Sequence, residues 1–166
     1  MRHWSGVVAA GLLVFALPAG CKATETPHVQ QVTIYFHSGH IAGIVPPEET
    51  ASLERPRSRA VQQTSPALLR SWERVFSQLR GASALQPDPD SANVGDYKWV
   101  VDVLYTDGTV SRLSIVQQCW HLRFEDSGYR PVTHAVAEVL YQSLDQEGRE
   151  DYEWSRGASE CPRIAP

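Results

Sequence analysis

What this sequence lacks first is a recognisable set of reacting groups. It has no Gly-x-Ser-x-Gly, no His-Glu-x-x-His, no phosphate-cradling glycine loop and no dinucleotide glycine pattern. The common layouts for nucleophilic, metal-assisted and nucleotide chemistry are therefore missing. It also lacks a surplus of positive charge. Its 15 Lys and Arg against 19 Asp and Glu give a net charge of -4, which argues against a nucleic-acid partner, because neutralising phosphates takes a basic face. Cysteine is scarce: Cys21, Cys119 and Cys161 lie too far apart to form the local pairs that zinc motifs use. No apolar run is long enough to span a bilayer either. The longest, Val7 to Leu17, is about eleven residues, or roughly 16 Å of helix against a ~30 Å hydrocarbon layer.

What is present begins with that same run. It follows Arg2 and His3 and ends in small residues, the order of a bacterial secretion signal, so residues 1–20 read as a signal peptide removed on export. Leu17-Pro18-Ala19-Gly20-Cys21 resembles the lipobox of bacterial lipoproteins, and the resemblance covers residues 1–21 alone. It implies that Cys21 becomes an acylated amino terminus, carrying palmitate-type chains that make the lipid bilayer a partner. Several chains at ~0.8 kcal/mol per buried methylene give stable anchoring. Lys22, where the family's inner-membrane retention signal has Asp, implies the outer membrane, facing the periplasm. An ordinary secretory signal cut after Ala19 or Ala23 is the alternative. Export leaves Cys119 and Cys161 as an even pair in an oxidising compartment, where a disulfide is expected. It would close a loop of about 43 residues, worth roughly 4 kcal/mol, and tie down the tail.

Residues 21–30 read as the lipidated cysteine and a polar tether, and residues 31–166 as a single globular domain. Val32, Ile34 and Phe36 alternate with Thr33, Tyr35 and His37, the period of a half-buried strand. Residues 46–64 are rich in Pro, Glu, Arg, Ser and Gln without an apolar period, and are expected to be a long polar loop with Arg55, Arg57 and Arg59 on a solvated face. Ser65-Pro66 opens and Gly81 closes the clearest helix, with Leu68, Leu69, Trp72, Val75, Phe76 and Leu79 as its core stripe. Asp107-Gly108 joins the runs Lys98 to Tyr105 and Thr109 to Val116 in a hairpin. A two-residue turn pairs Thr106 with Thr109, placing Leu113 and Ile115 on the face of Val100, Asp102 and Leu104, opposite Trp99 and Val101. A further strand over Cys119 to Phe124 and a helix from Pro131 or Thr133 to Leu144 complete the expectation. It is an α+β domain in two layers, order β-α-β-β-β-α, with an antiparallel sheet, two helices and an irregular, disulfide-tied C-terminal tail.

Chemistry is sparse in this reading. His37, His40 and His121 can be imagined as a metal or hydrolase site, although isolated histidines explain them more simply. Asp102, on an apolar face, needs a partner or an elevated pKa. Tyr152 and Trp154, set among carboxylates, offer aromatic anchors for a partner, or else cover the sheet. No cofactor or metal is expected. The leading expectation is a membrane-anchored, non-enzymatic module that binds an envelope protein or polymer. The alternatives are an inhibitor or immunity-type lipoprotein that neutralises an envelope lytic enzyme, and a periplasmic hydrolase with a His-based site.

Overall fold

The described residues form six strands and four helices, more elements than the sequence patterns indicated. The computed structural model describes residues 26–38, 46–53, 57–84, 97–116, 121–125 and 128–157. In chain order they form β1 (Val29–His37), α1 (Pro47–Ser52), β2 (Ser58–Gln63), α2 (Pro66–Gly81), β3 (Tyr97–Tyr105), β4 (Val110–Val116), β5 (His121–Phe124), β6 (Tyr129–Pro131), α3 (His134–Ser143) and α4 (Gln146–Gly157). The strands make one open antiparallel sheet in the order β2-β1-β3-β4-β5-β6. The α+β class and the antiparallel sheet agree with the sequence; the element order is longer than expected. Residues 1–25, including the signal segment and Cys21, and both Cys119 and Cys161 lie outside the described residues.

The core lies between the sheet and its helices. Val32, Ile34 and Phe36 from β1, Trp99, Val101 and Val103 from β3, and Leu113 and Ile115 from β4 are all fully buried against one face. The stripe of α2 meets them: Trp72, Val75, Phe76 and Leu79 are buried, and Phe76 stands edge-on to Phe124 with ring centres 5.3 Å apart. The Trp72 indole Nε1 donates to Ser143 Oγ at 2.9 Å, and that hydroxyl donates to the Val139 carbonyl at 2.7 Å. A polar side chain at the end of α3 thus satisfies the one donor of a buried indole. Thr133 caps α3 by accepting the Val136 N–H.

The hairpin turns where expected but in a different register. Tyr105 N–H donates to the Thr109 carbonyl at 2.9 Å and Gly108 N–H to the Tyr105 carbonyl at 3.0 Å, so the loop is Thr106-Asp107-Gly108. Gly108 sits at φ +83°, and Asp107 Oδ1 accepts from both the Thr109 N–H and its hydroxyl. This is a turn closed by a left-handed glycine, one residue longer than a bare Asp-Gly connection. The extra residue slides β4 by one place: Val101 faces Leu113, Trp99 faces Ile115 and Asp102 faces Arg112. A one-residue slip exchanges the faces of a strand, so Leu113 and Ile115 join Trp99 in the core and Val110 turns outward. Gly108→Ala is expected to cost about 1–2 kcal/mol from the left-handed backbone alone, since nothing lies within 4 Å of an added Cβ. Urea unfolding of the variant measures it.

Two segments expected to be irregular are ordered. Residues 46–64 contain α1 and β2. Pro47 at the first helical position with Glu48 and Glu49 in the first turn is a helix start, too short to show a period. In β2 only Val61 packs on the core, so a sheet edge replaces the apolar alternation of a central strand. The described part of the tail is helical, α4 running to Gly157: Asp145 Oδ1 accepts the Gly148 N–H at 2.9 Å and Arg149 N–H donates to the Asp145 carbonyl. The Arg149 guanidinium also donates to the Gln142 carbonyl and to the Tyr141 carbonyl, which accepts the Leu144 N–H as well, and so ties α4 to the end of α3.

Candidate binding face of the sheet

Antiparallel pairing decides which side chains share the face turned away from the core. Across four strands Tyr35, Val100, Ser114 and Arg123 stand in one row, and Thr33, Asp102 and Arg112 in the next. Of the helices, α2, α3 and α4 contribute to the core on the other side, whereas α1 lies against β3 and β1. Thr50 anchors it, its buried hydroxyl donating to the Tyr97 carbonyl at 2.7 Å. Beside α1 a groove of about 220 Å³ opens, with Pro47 and Glu48 as one wall, Val110, Arg112 and Ser114 along its floor, and Arg123 and Glu125 opposite.

The electrostatics of this face centre on a cross-strand pair. Arg112 Nε and Nη2 donate to the two Asp102 carboxylate oxygens, each at 2.7 Å. Such a fork is stronger than a point-charge contact and fixes the plane of the guanidinium. Its hydrogen bonds to Asp102 hold Arg112 above the ordinary arginine range, against the desolvation that opposes it. Nearby, burial is the main influence that pushes the Tyr97 phenol far above its usual value, helped by the Tyr129 hydroxyl 3.5 Å away. At the rim Arg80, reaching from α2, lies 3.6 Å from Glu125. The lining thus carries both signs of charge, guanidinium and carboxylate groups beside Ser114 and the apolar Pro47 and Val110.

The structure distributes the residues singled out in the sequence rather than collecting them. Asp102 has its partner in Arg112, which accounts for a carboxylate on this face. His37 Nδ1 is 3.5 Å from the Ser58 hydroxyl; His40 lies outside the described residues and His121 on β5, with β3 and β4 between it and β1. Among the described residues no group of three His, Cys, Asp or Glu could hold a metal ion. Tyr152 is 1 % exposed and stacks between Trp99 and Tyr141, at 5.7 and 5.6 Å. A ring buried in the core is not a surface anchor, which corrects that expectation for Tyr152. Trp154 remains 48 % exposed, beside the core.

One group escaped the sequence altogether. Lys98 is fully buried, its ammonium 2.9 Å from Ser155 Oγ, 3.5 Å from Asp151, and 5.3 and 5.1 Å from the rings of Trp99 and Trp154. Burial lowers its pKa, opposed by the charge of Asp151. It joins β3 to α4. A β-bulge between Tyr97 and Trp99 turns it out of the alternation, and no residue pattern announces that.

No helix among the described residues is long and apolar enough to cross a membrane. Comparison of the chain with protein-family models, with curated proteins and with solved structures finds no match.

Proposed function

We propose that this chain is a lipid-anchored, non-enzymatic module of the bacterial cell envelope that holds an envelope protein or polymer near the outer membrane, on its periplasmic side. The observation that carries the reading is the division of the sheet. Three helices take one face, and the other presents a polar groove on a rigid cross-strand scaffold, an arrangement suited to recognition. The lipobox-like end at Cys21 supplies the anchor. A Cys119–Cys161 bond belongs to the same proposal. Tyr97 pairs with Val116 and Lys98 meets Ser155, so the chains leading to both cysteines set out from the same end of β3.

Labelled palmitate is expected to enter the wild-type chain and not Cys21→Ser, and intact mass is expected to show a product that begins at an acylated Cys21. A product that retains Met1 overturns the reading. Non-reducing peptide mapping should recover Cys119 joined to Cys161, and two free thiols would remove the bridge. Stoichiometric inhibition of an added envelope hydrolase would replace the plain module by the inhibitor reading.

A further inference from the structure

The groove beside α1 is small and carries both signs of charge, and together these features restrict its occupant. A volume of about 220 Å³ is below the ~300–1,000 Å³ of sites that enclose a whole drug-sized molecule. It suits the end of a chain. Arg112 and Arg123 are opposed by Asp102, Glu48 and Glu125, so the site has no net positive charge with which to hold a simple anion. A ligand that brings one charge of each sign meets complementary groups without adding to the balance.

The geometry also orients the acceptor end. Asp102 occupies Nε and Nη2 of Arg112, which leaves Nη1, with no partner among the described residues, as the unspent edge of the guanidinium, on a side chain that is 37 % exposed. Ser114, two residues along the same strand and face, lines the floor and is itself 2 % exposed. A carboxylate there is met by a fixed donor and a hydroxyl, with little ordering left to do on binding. Glu48, on the α1 wall, lines the same groove and lies close enough to Arg112 for its charge to act on the guanidinium, and it offers a carboxylate for an ammonium.

We infer that this groove binds a zwitterionic peptide unit, its carboxylate on the free edge of Arg112 and the Ser114 hydroxyl, its ammonium on Glu48. The inference rests on the binding-module reading and names the chemistry of its partner: a peptide segment of an envelope polymer that bears both a free carboxylate and a free amine.

The test titrates alanyl-alanine, its carboxyl amide and its N-acetyl form into the full chain in detergent, following the backbone amide signals. Expected are shifts gathered at Arg112, Ser114 and Glu125 at millimolar concentration, with each blocked form at least tenfold weaker. Arg112→Lys should weaken the free dipeptide about tenfold, because an ammonium cannot hold Asp102 in a fork and a second carboxylate together. Glu48→Gln should abolish the difference between the free and N-acetyl forms while the amide stays weak, a pattern that loss of folding does not produce. Absence of shifts, or equal binding of the free and amidated dipeptides, overturns the inference. Envelope polymer that binds the chain without competition from the dipeptide overturns the groove and keeps the module. Dipeptide binding by a chain that takes no lipid keeps the groove and removes the anchor.

Discussion

Tyr152→Ala should lower stability by about 3–5 kcal/mol, the range for an aromatic ring removed from a packed core, and should release α4 before the sheet unfolds. The ring is 1 % exposed and fills the space between Trp99 of β3 and Tyr141 of α3. The other ties of α4 to the sheet are polar and centre on Lys98, which meets Asp151 and Ser155, so Tyr152 is its one apolar side chain in the core cluster among the described residues. Tyr152→Phe keeps the ring and should stay within about 1.5 kcal/mol, the range for a buried substitution that conserves volume. Chemical denaturation gives the totals. Hydrogen exchange decides the order: amides of α4 that lose protection no earlier than those of β3 would contradict the tethered-helix account.

That helix also marks where sequence reasoning stopped. The α2 boundaries were legible because Ser65, Pro66 and Gly81 punctuate a strong stripe, and the structure gives Pro66–Gly81, although Ser65 makes no side-chain cap hydrogen bond and the helix ends on an extended Ala82 at φ -83° instead of a left-handed glycine. The α3 segment was legible from Thr133 and the spaced valines. By contrast α4 carries Gly148 inside its first turn and few apolar residues, so periodicity is silent and only the Asp145 cap announces it. The hairpin was half legible: Asp107-Gly108 located the turn, but pairing one residue either way is a matter of loop geometry. The groove depends on that register, because Arg112 reaches Asp102 only when the two stand opposite. It also depends on α1, whose six residues cannot show a period.

Asp151→Ala should cost about 3 kcal/mol or more, because it strips a carboxylate from beside a fully buried ammonium. Removing one member of a buried pair typically costs ~3–5 kcal/mol, and Asp151 keeps 12 % exposure, which favours the lower end. Lys98→Met in the Asp151→Ala background should recover most of the loss, since an apolar chain of similar length fits between the two indoles without a charge to desolvate. Failure of the second change to rescue the first would show that the cost lies elsewhere in α4.

The same lysine sets a pH dependence of defined sign. Its folded pKa lies below the 10.5 of the free side chain, so between those values the unfolded chain holds a proton that the folded chain does not. Stability therefore rises with pH across that window. Tyr97, its neighbour, acts in the opposite sense. Its phenol ionises above the usual 10.0, so beyond that pH the unfolded chain loses a proton that the folded one keeps, and stability falls. The pair should give a stability profile that climbs into the alkaline range and turns down above about pH 10. Lys98→Met should flatten the climb and leave the descent, and thermal melts between pH 7 and 11 read both.

The pinning of His28 governs how far the domain can wander. Its N–H and carbonyl bond to Thr106, and its ring lies 3.1 Å from Glu73, so β1 is fastened beside the hairpin loop before the strand begins. The residues between Cys21 and His28 could span at most about 20 Å at full stretch. In a chain acylated at Cys21 the Asp107-Gly108 tip must hover close above the lipid headgroups, and the molecule swings about that corner as about a hinge post. In such a chain, a ligand in the groove beside α1 would lie within one domain's length of the bilayer.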